Sequence, residues 1–173
     1  MILIRHGQTL FNVLFPATRR DPGVRDPALT EIGTAQAKAL VAALSDQGIK
    51  RIIASPYTRA LQTAGVLARA LALPVAIDAR VRERFAYACD VGTCASALAR
   101  QWPGIAFDAL SEEWWPAAEE PHDAFYERCG DFHRDMLDER DYAGIAVVTH
   151  REVIRALAGT LLQPGDFIRC PAR

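Results

Sequence analysis

Four short apolar runs, separated by stretches of helical periodicity, constrain this chain more than any other feature. Met1-Ile2-Leu3-Ile4, Arg51-Ile52-Ile53-Ala54, Pro74-Val75-Ala76-Ile77 and Ile145-Ala146-Val147-Val148 read as strands, the first two as buried ones. Helices are expected over 28–47, 57–71 and 152–162, with two more near 93–101 and 121–138. In the first, Ile32, Ala35, Ala39, Leu40, Ala43 and Leu44 are read as the buried stripe, and Gly48 as its stop. Ser55-Pro56 reads as an N-cap followed by a first-turn proline. Residues 16–27, rich in Arg, Pro and Asp, read as a polar loop, and Phe167-Ile168 as a last edge strand. The pattern predicts a three-layer α/β/α domain with a mainly parallel sheet. Residues 1–173 form one domain, and the looser block at about 80–143 is read as a small, mostly helical insertion over the active-site edge.

In an open α/β sheet, ligands bind beyond the carboxyl ends of the strands. The residues just after each run therefore matter most. They are Arg5-His6-Gly7, then Ser55 with Arg59 one turn later, then Arg82-Glu83-Arg84, then Thr149-His150-Arg151. Two histidines, several arginines and a glutamate make an inventory for an oxyanion, most simply a phosphoryl group. Of the 20 basic residues 18 are Arg, so an anion clamp here is an arginine clamp.

Arg5-His6-Gly7-Gln8-Thr9 with Asn12 resembles the Arg-His-Gly motif of the histidine phosphatase (phosphoglycerate mutase-like) superfamily. Further blocks match in order: Leu29-Thr30-Glu31-Ile32-Gly33 with Gln36-Ala37, the run from Ser55 to Ala64, Val81-Arg82-Glu83, and Val148-Thr149-His150 with Ile154-Arg155-Ala156-Leu157. The likeness covers 1–83 and 145–162. It implies His6 as a nucleophile that becomes phosphohistidine, and Arg5 and Arg59 as clamps on the phosphoryl oxygens. It implies a cationic His150 donating to the same oxygens, and Glu83 as the acid for the leaving oxygen and then the base for water. Asn12 is expected to contact the phosphoryl group or its ester oxygen, and Gly7, Thr149 and Arg151 are grouped with it as substrate-binding positions. No metal and no cofactor enter this scheme. One departure stands out: Arg151-Glu152 replaces the usual Gly-Gly after the second histidine.

Other readings stay beside these. Glu83 could be a rim carboxylate paired with Arg82 or Arg84, with Glu112, Glu113, Glu119 and Glu120 as substitute acids. His122 and His133 read as ordinary polar residues. Trp102, Trp114 and Trp115 read as packing of the insertion or as an apolar wall over the site. Arg19, Arg20 and Arg25 read as a solvated loop, with a lid as the alternative.

The expected activity is metal-independent hydrolysis of a small organic phosphate, by a phosphatase of the histidine acid type. The alternatives are a cofactor-dependent phosphoglycerate mutase, a protein phosphohistidine phosphatase and a non-catalytic phosphate-binding protein. Net charge is −1, so composition predicts no nucleic-acid partner. No apolar run approaches the roughly 18 residues needed to span a bilayer, and no secretory signal opens the chain, so a membrane partner is not expected. Four scattered cysteines without a C-x2-C pair fit free thiols in a reducing cytoplasm. The Trp-rich segments could bury against the core or against a twin subunit in a homodimer.

Overall fold

A computed structural model describes residues 1–172. Five strands form one sheet: β1 (Ile2–Arg5), β2 (Arg51–Ala54), β3 (Val75–Ile77), β4 (Ile145–Thr149) and β5 (Phe167–Arg169), in the order β3-β2-β4-β1-β5. The first four are parallel and β5 joins the β1 edge antiparallel. Side chains alternate across a strand. Ile2, Ile4, Ile52, Ala54, Ala146 and Val148 face one core, while Leu3, Ile53, Ile145 and Val147 face the other. Continuous apolar runs are what a sheet covered on both faces requires.

The helices are α1 (Leu10–Thr18), α2 (Glu31–Leu44), α3 (Thr58–Leu71), α4 (Ala95–Gln101), α5 (His122–Leu137) and α6 (Arg151–Ala158). The first core takes Leu40 and Leu44 of α2, Leu61 and Leu67 of α3 and Leu98 of α4. The second takes Phe125, Cys129 and Phe132 of α5 and Val153, Ile154 and Leu157 of α6. Each fully buried side chain of this kind contributes about 1.5–3 kcal/mol. Residues 80–143 thus supply packing to both layers, and Trp114 is buried in the first core with its Nε1 donating to Thr93 O at 2.9 Å.

Four local expectations differ from what forms. Helix α1 forms over residues for which no helix is expected, and its last turn enters the stretch read as a polar loop. Pro16 sits in its last turn, and the chain leaves through Arg19 in the left-handed conformation (φ 53°). The buried face of α2 is Gly33, Ala37, Leu40 and Leu44, while Ile32 is 59% exposed. The cause is Gly33, which lies against the backbone of Gln8 so closely that a Cβ there would meet Gln8 O at 2.1 Å. That contact fixes the rotation of the helix. Helix α2 ends at Ser45, and Gly48 (φ 68°) instead makes the turn into β2. Tyr57 is the N-cap residue of α3, whose first N–H, that of Thr58, donates to Asp26 Oδ1 at 2.9 Å, while Ser55 Oγ lies 2.7 Å from His150 Nε2.

Candidate active site

Strands β1 and β4 are neighbours, with Arg5 opposite Thr149 and His6 N donating to Thr149 O at 3.0 Å. This pairing carries His6 and His150 out of the sheet side by side, with ring centroids 5.1 Å apart. Arg59, in the first turn of α3, reaches the same point, its Nε 3.4 Å from His150 Nδ1. A cavity of about 550 Å³ opens here, lined by Arg5, His6, Asn12, Arg59, Glu83 and Arg151 among others.

The loop after β1 is held by residues of the other sequence blocks. Gly7 N donates to Thr63 Oγ1 at 3.2 Å, Gln8 N to Gln36 Oε1 at 2.8 Å, Leu29 N to Gln62 Oε1 at 2.7 Å and Thr30 N to Gln8 O at 2.9 Å. His6 Nδ1–H donates to Gly7 O at 2.7 Å, which leaves the lone pair on Nε2. Burial, then the Arg59 and Arg5 cations, hold the imidazole pKa well below its usual value, so His6 is neutral near pH 7. Arg5 donates to Leu162 O at 2.6 Å, and its Nε is buried with no partner among the described residues. Arg59 is held in place by Nη1 donating to Cys89 O at 2.8 Å and Nη2 to Asp90 Oδ1 at 3.2 Å, with the guanidinium 4.2 Å over the Tyr57 ring, and each Nη has a second N–H for a ligand.

Glu83 has neither arginine partner weighed from sequence. Arg82 pairs with Glu120 at 2.7 Å and Arg84 with Glu119 at 3.0 Å. Glu120 also pairs with Arg128 at 2.6 Å, and Arg128 donates to the carbonyls of Arg80, Arg82 and Glu83. This network braces the segment that presents Glu83. The carboxylate accepts from the N–H groups of Arg84 (3.0 Å) and Glu152 (3.2 Å). Burial, then the Asp90 charge, raise its pKa to about 7 against those hydrogen bonds and the Arg59 cation. The Glu152 N–H, at the position of the family's usual glycine pair, is thus turned toward Glu83.

Three grouped residues lie behind the cavity rather than on its wall. His150 is fully buried, with Nε2 2.7 Å from Ser55 Oγ and Nδ1 accepting from Arg59. Burial, then Arg59, His6 and Arg5, push its pKa well below the usual value, so the imidazole is neutral here rather than cationic. Thr149 donates to Val81 O at 2.7 Å and ties β4 to the Glu83 segment. Gly7 is a close-packing position, where a Cβ would stand 2.3 Å from Gly33 O. Asn12 lines the cavity with its Oδ1 taken by Thr9 N (2.9 Å) and Thr9 Oγ1 (3.0 Å), which leaves its amide NH₂ for a ligand. Arg151 stands at the rim, half-exposed.

Sequence reasoning passed over Asp90, which sits in a one-turn segment with no periodic signal. It also passed over Phe11, Phe15 and Tyr87 as cavity wall; the tryptophans, for which that role was the alternative to packing, pack in or against the first core. His122, read as ordinary, lines the cavity too. All four cysteines are free thiols. Among the described residues, no three His, Cys, Asp or Glu side chains are grouped to hold a metal ion, and no helix is long and apolar enough to cross a membrane.

Fold and site together define an α/β scaffold whose sheet edge gathers a neutral histidine, two arginines and a carboxyl of raised pKa. The chain belongs to the histidine phosphatase superfamily (branch 1), whose sequence model matches residues 1–170. Curated relatives include the "Probable phosphoglycerate mutase GpmB" of Yersinia pestis, 44% identical over 81 residues, which are 47% of this chain and 36% of that protein. The match therefore spans just over a third of the relative's length. Among solved structures, the native mycobacterial glucosyl-3-phosphoglycerate phosphatase aligns with a TM-score of 0.62 at 27% identity, over 92% of this chain and 77% of that one. The alpha-ribazole phosphatase of Shigella flexneri shares the fold, with a TM-score of 0.67 at 24% identity over 96% and 87% of the two chains.

Proposed function

We propose that this protein hydrolyses phosphomonoesters through a phosphohistidine at His6. His6 Nε2 attacks phosphorus and the N–P bond forms as the ester P–O bond breaks. Glu83 gives its proton to the departing alkoxide. Water then attacks the phosphorus and Glu83 takes a proton from it. The N–P bond breaks and inorganic phosphate leaves. Arg5 and Arg59 stabilise the equatorial oxygens, which is where phosphoryl transfer needs most help. His150 supports His6 and Arg59, and donates to the phosphoryl group only if it exchanges its bond to Ser55 for one to the ligand.

The observation that carries the reading is the pairing of protonation states. His6 keeps its proton on Nδ1 and its lone pair on Nε2, while Glu83, on the same cavity, has a pKa of about 7. A nucleophile must be neutral and a general acid must be protonated at working pH, and the Nδ1 hydrogen bond of His6 and the raised pKa of Glu83 support both roles. The phosphatase names of two structural neighbours agree with hydrolysis.

The test is hydrolysis of 4-nitrophenyl phosphate with excess chelator from pH 4 to 8, beside His6→Ala. Turnover that persists in chelator and disappears in the variant is the expected result. Turnover unchanged in the variant overturns the role of His6. The names of the curated relatives favour a second reading, phosphoglycerate mutase. Interconversion of 2- and 3-phosphoglycerate that needs 2,3-bisphosphoglycerate, faster than release of inorganic phosphate, would establish the mutase instead.

A further inference from the structure

The cavity around His6 is not charged on every side. Phe11 and Phe15, one turn apart on α1, stack with centroids 4.9 Å apart and 15° between planes. Tyr87 completes the group, 5.4 Å from Phe11 and 5.0 Å, edge-on, from Phe15. All three rings line the cavity. They belong to neither core, and α1 has no buried residue at all although most of it is apolar.

The rings are nonetheless held in place. Asp21 Oδ2, just beyond α1, accepts from Ala88 N at 2.7 Å. Tyr87 N donates to Asp90 Oδ2 at 3.1 Å, and Asp90 is the residue that grips Arg59. The aromatic wall and the arginine clamp are therefore joined through one carboxylate. Of the basic residues that also line the cavity, Arg151 and Arg155 both lean on Glu152, at 3.8 Å and 3.2 Å, so their charge is already partly answered.

We propose that Phe11, Phe15 and Tyr87 form the subsite for the alcohol half of the ester, and that the preferred substrates are phosphomonoesters whose alcohol carries a flat aromatic ring. This rests on the reading of His6 as the site of phosphoryl transfer. A cavity of about 550 Å³ takes a phosphoryl group and a ring together. Rings add to one another by offset stacking and edge contact, so a fourth ring gains from the group what a polyol or a carboxylate cannot.

The test separates binding from turnover. Affinities of 2-phenylethylphosphonate and n-butylphosphonate, which share the anionic head and cannot be hydrolysed, are measured by titration calorimetry. The wild-type protein is expected to bind the ring-bearing ligand about fivefold to tenfold more tightly. The Phe15→Leu/Tyr87→Leu double variant keeps apolar volume without the rings, and its preference is expected to fall to about twofold or less, while Tyr87→Phe keeps most of it. Near-ultraviolet circular dichroism checks that each variant is folded. Equal affinities in the wild type, no binding of either phosphonate, or a preference that survives the double variant, overturns the subsite. A ring preference in binding without turnover of any ester by the wild type would sink the phosphoryl-transfer reading and leave the subsite standing.

Discussion

Glu83 and Asp90 are two buried acids that the chain uses in opposite ways. Asp90 is hydrogen-bonded to Arg59 and to two backbone N–H groups, whereas Glu83 has only backbone donors, the repulsion of Asp90 and the Arg59 cation at longer range. Because the Glu83 pKa rises from 4.5 to about 7 on folding, the folded protein holds that proton more tightly than the unfolded chain. Its contribution to stability is therefore complete below pH 4.5 and is lost as pH climbs through 7. Glu83→Gln should be no different from wild type in urea denaturation at pH 4 and more stable at pH 8, by up to about 3 kcal/mol. The same variant should lose about 10²- to 10³-fold in kcat on alkyl phosphates and much less on 4-nitrophenyl phosphate, whose leaving group needs no acid. Asp90→Asn should lower kcat/KM by about 10- to 100-fold by loosening Arg59. It should also move the basic limb of the pH profile for alkyl esters to lower pH, since Glu83 loses a negative neighbour. An unmoved limb would show that Asp90 does not set the Glu83 proton.

At the scale of elements, the loop after β1 and the start of α2 share one backbone contact. Gly7 and Gly33 approach so closely that a methyl on either meets a carbonyl oxygen of the other segment at 2.1–2.3 Å. Backbone cannot move aside as a side chain can. Gly7→Ala should therefore cost about 1–3 kcal/mol or more, read as a lower urea midpoint, and should shift the His6 loop as well. A variant of wild-type stability would contradict the contact. This also explains which parts of the molecule were legible in the sequence. The strands and α3 announced themselves by periodicity, and His6, Arg59 and Glu83 by their places just after strands. The face of α2 did not, because the Gly33 contact outweighs the apolar stripe that includes Ile32. Helix α1 did not, because it has no buried face and no core claims it. Asp90 did not, because its importance lies in what folds against it rather than in its neighbours along the chain.

For the molecule as a whole, the sheet edge concentrates groups whose protonation resists acid. His6 and His150 have folded pKa values well below 6.5, so the unfolded chain takes up their protons first as pH falls. Their contribution is fully present above pH 6.5 and is lost below it, at up to about 2.7 kcal/mol per pH unit for the pair. Glu83 opposes this with one proton between pH 4.5 and 7, leaving a net slope from the three of about 1.4 kcal/mol per unit. Urea midpoints should therefore fall steadily from pH 6.5 to 5. A flat profile over that range would show that the two imidazoles are not held neutral together.

The hydrogen bond from His6 to the carbonyl of the very next residue has a regiochemical consequence. On the proposed mechanism the pros nitrogen is occupied by this bond, and phosphorylation falls on the free nitrogen and gives the tele isomer. Phosphorus NMR of denatured, trapped enzyme should show a single tele-phosphohistidine resonance, and a pros signal would mean that the ring turns over before it reacts.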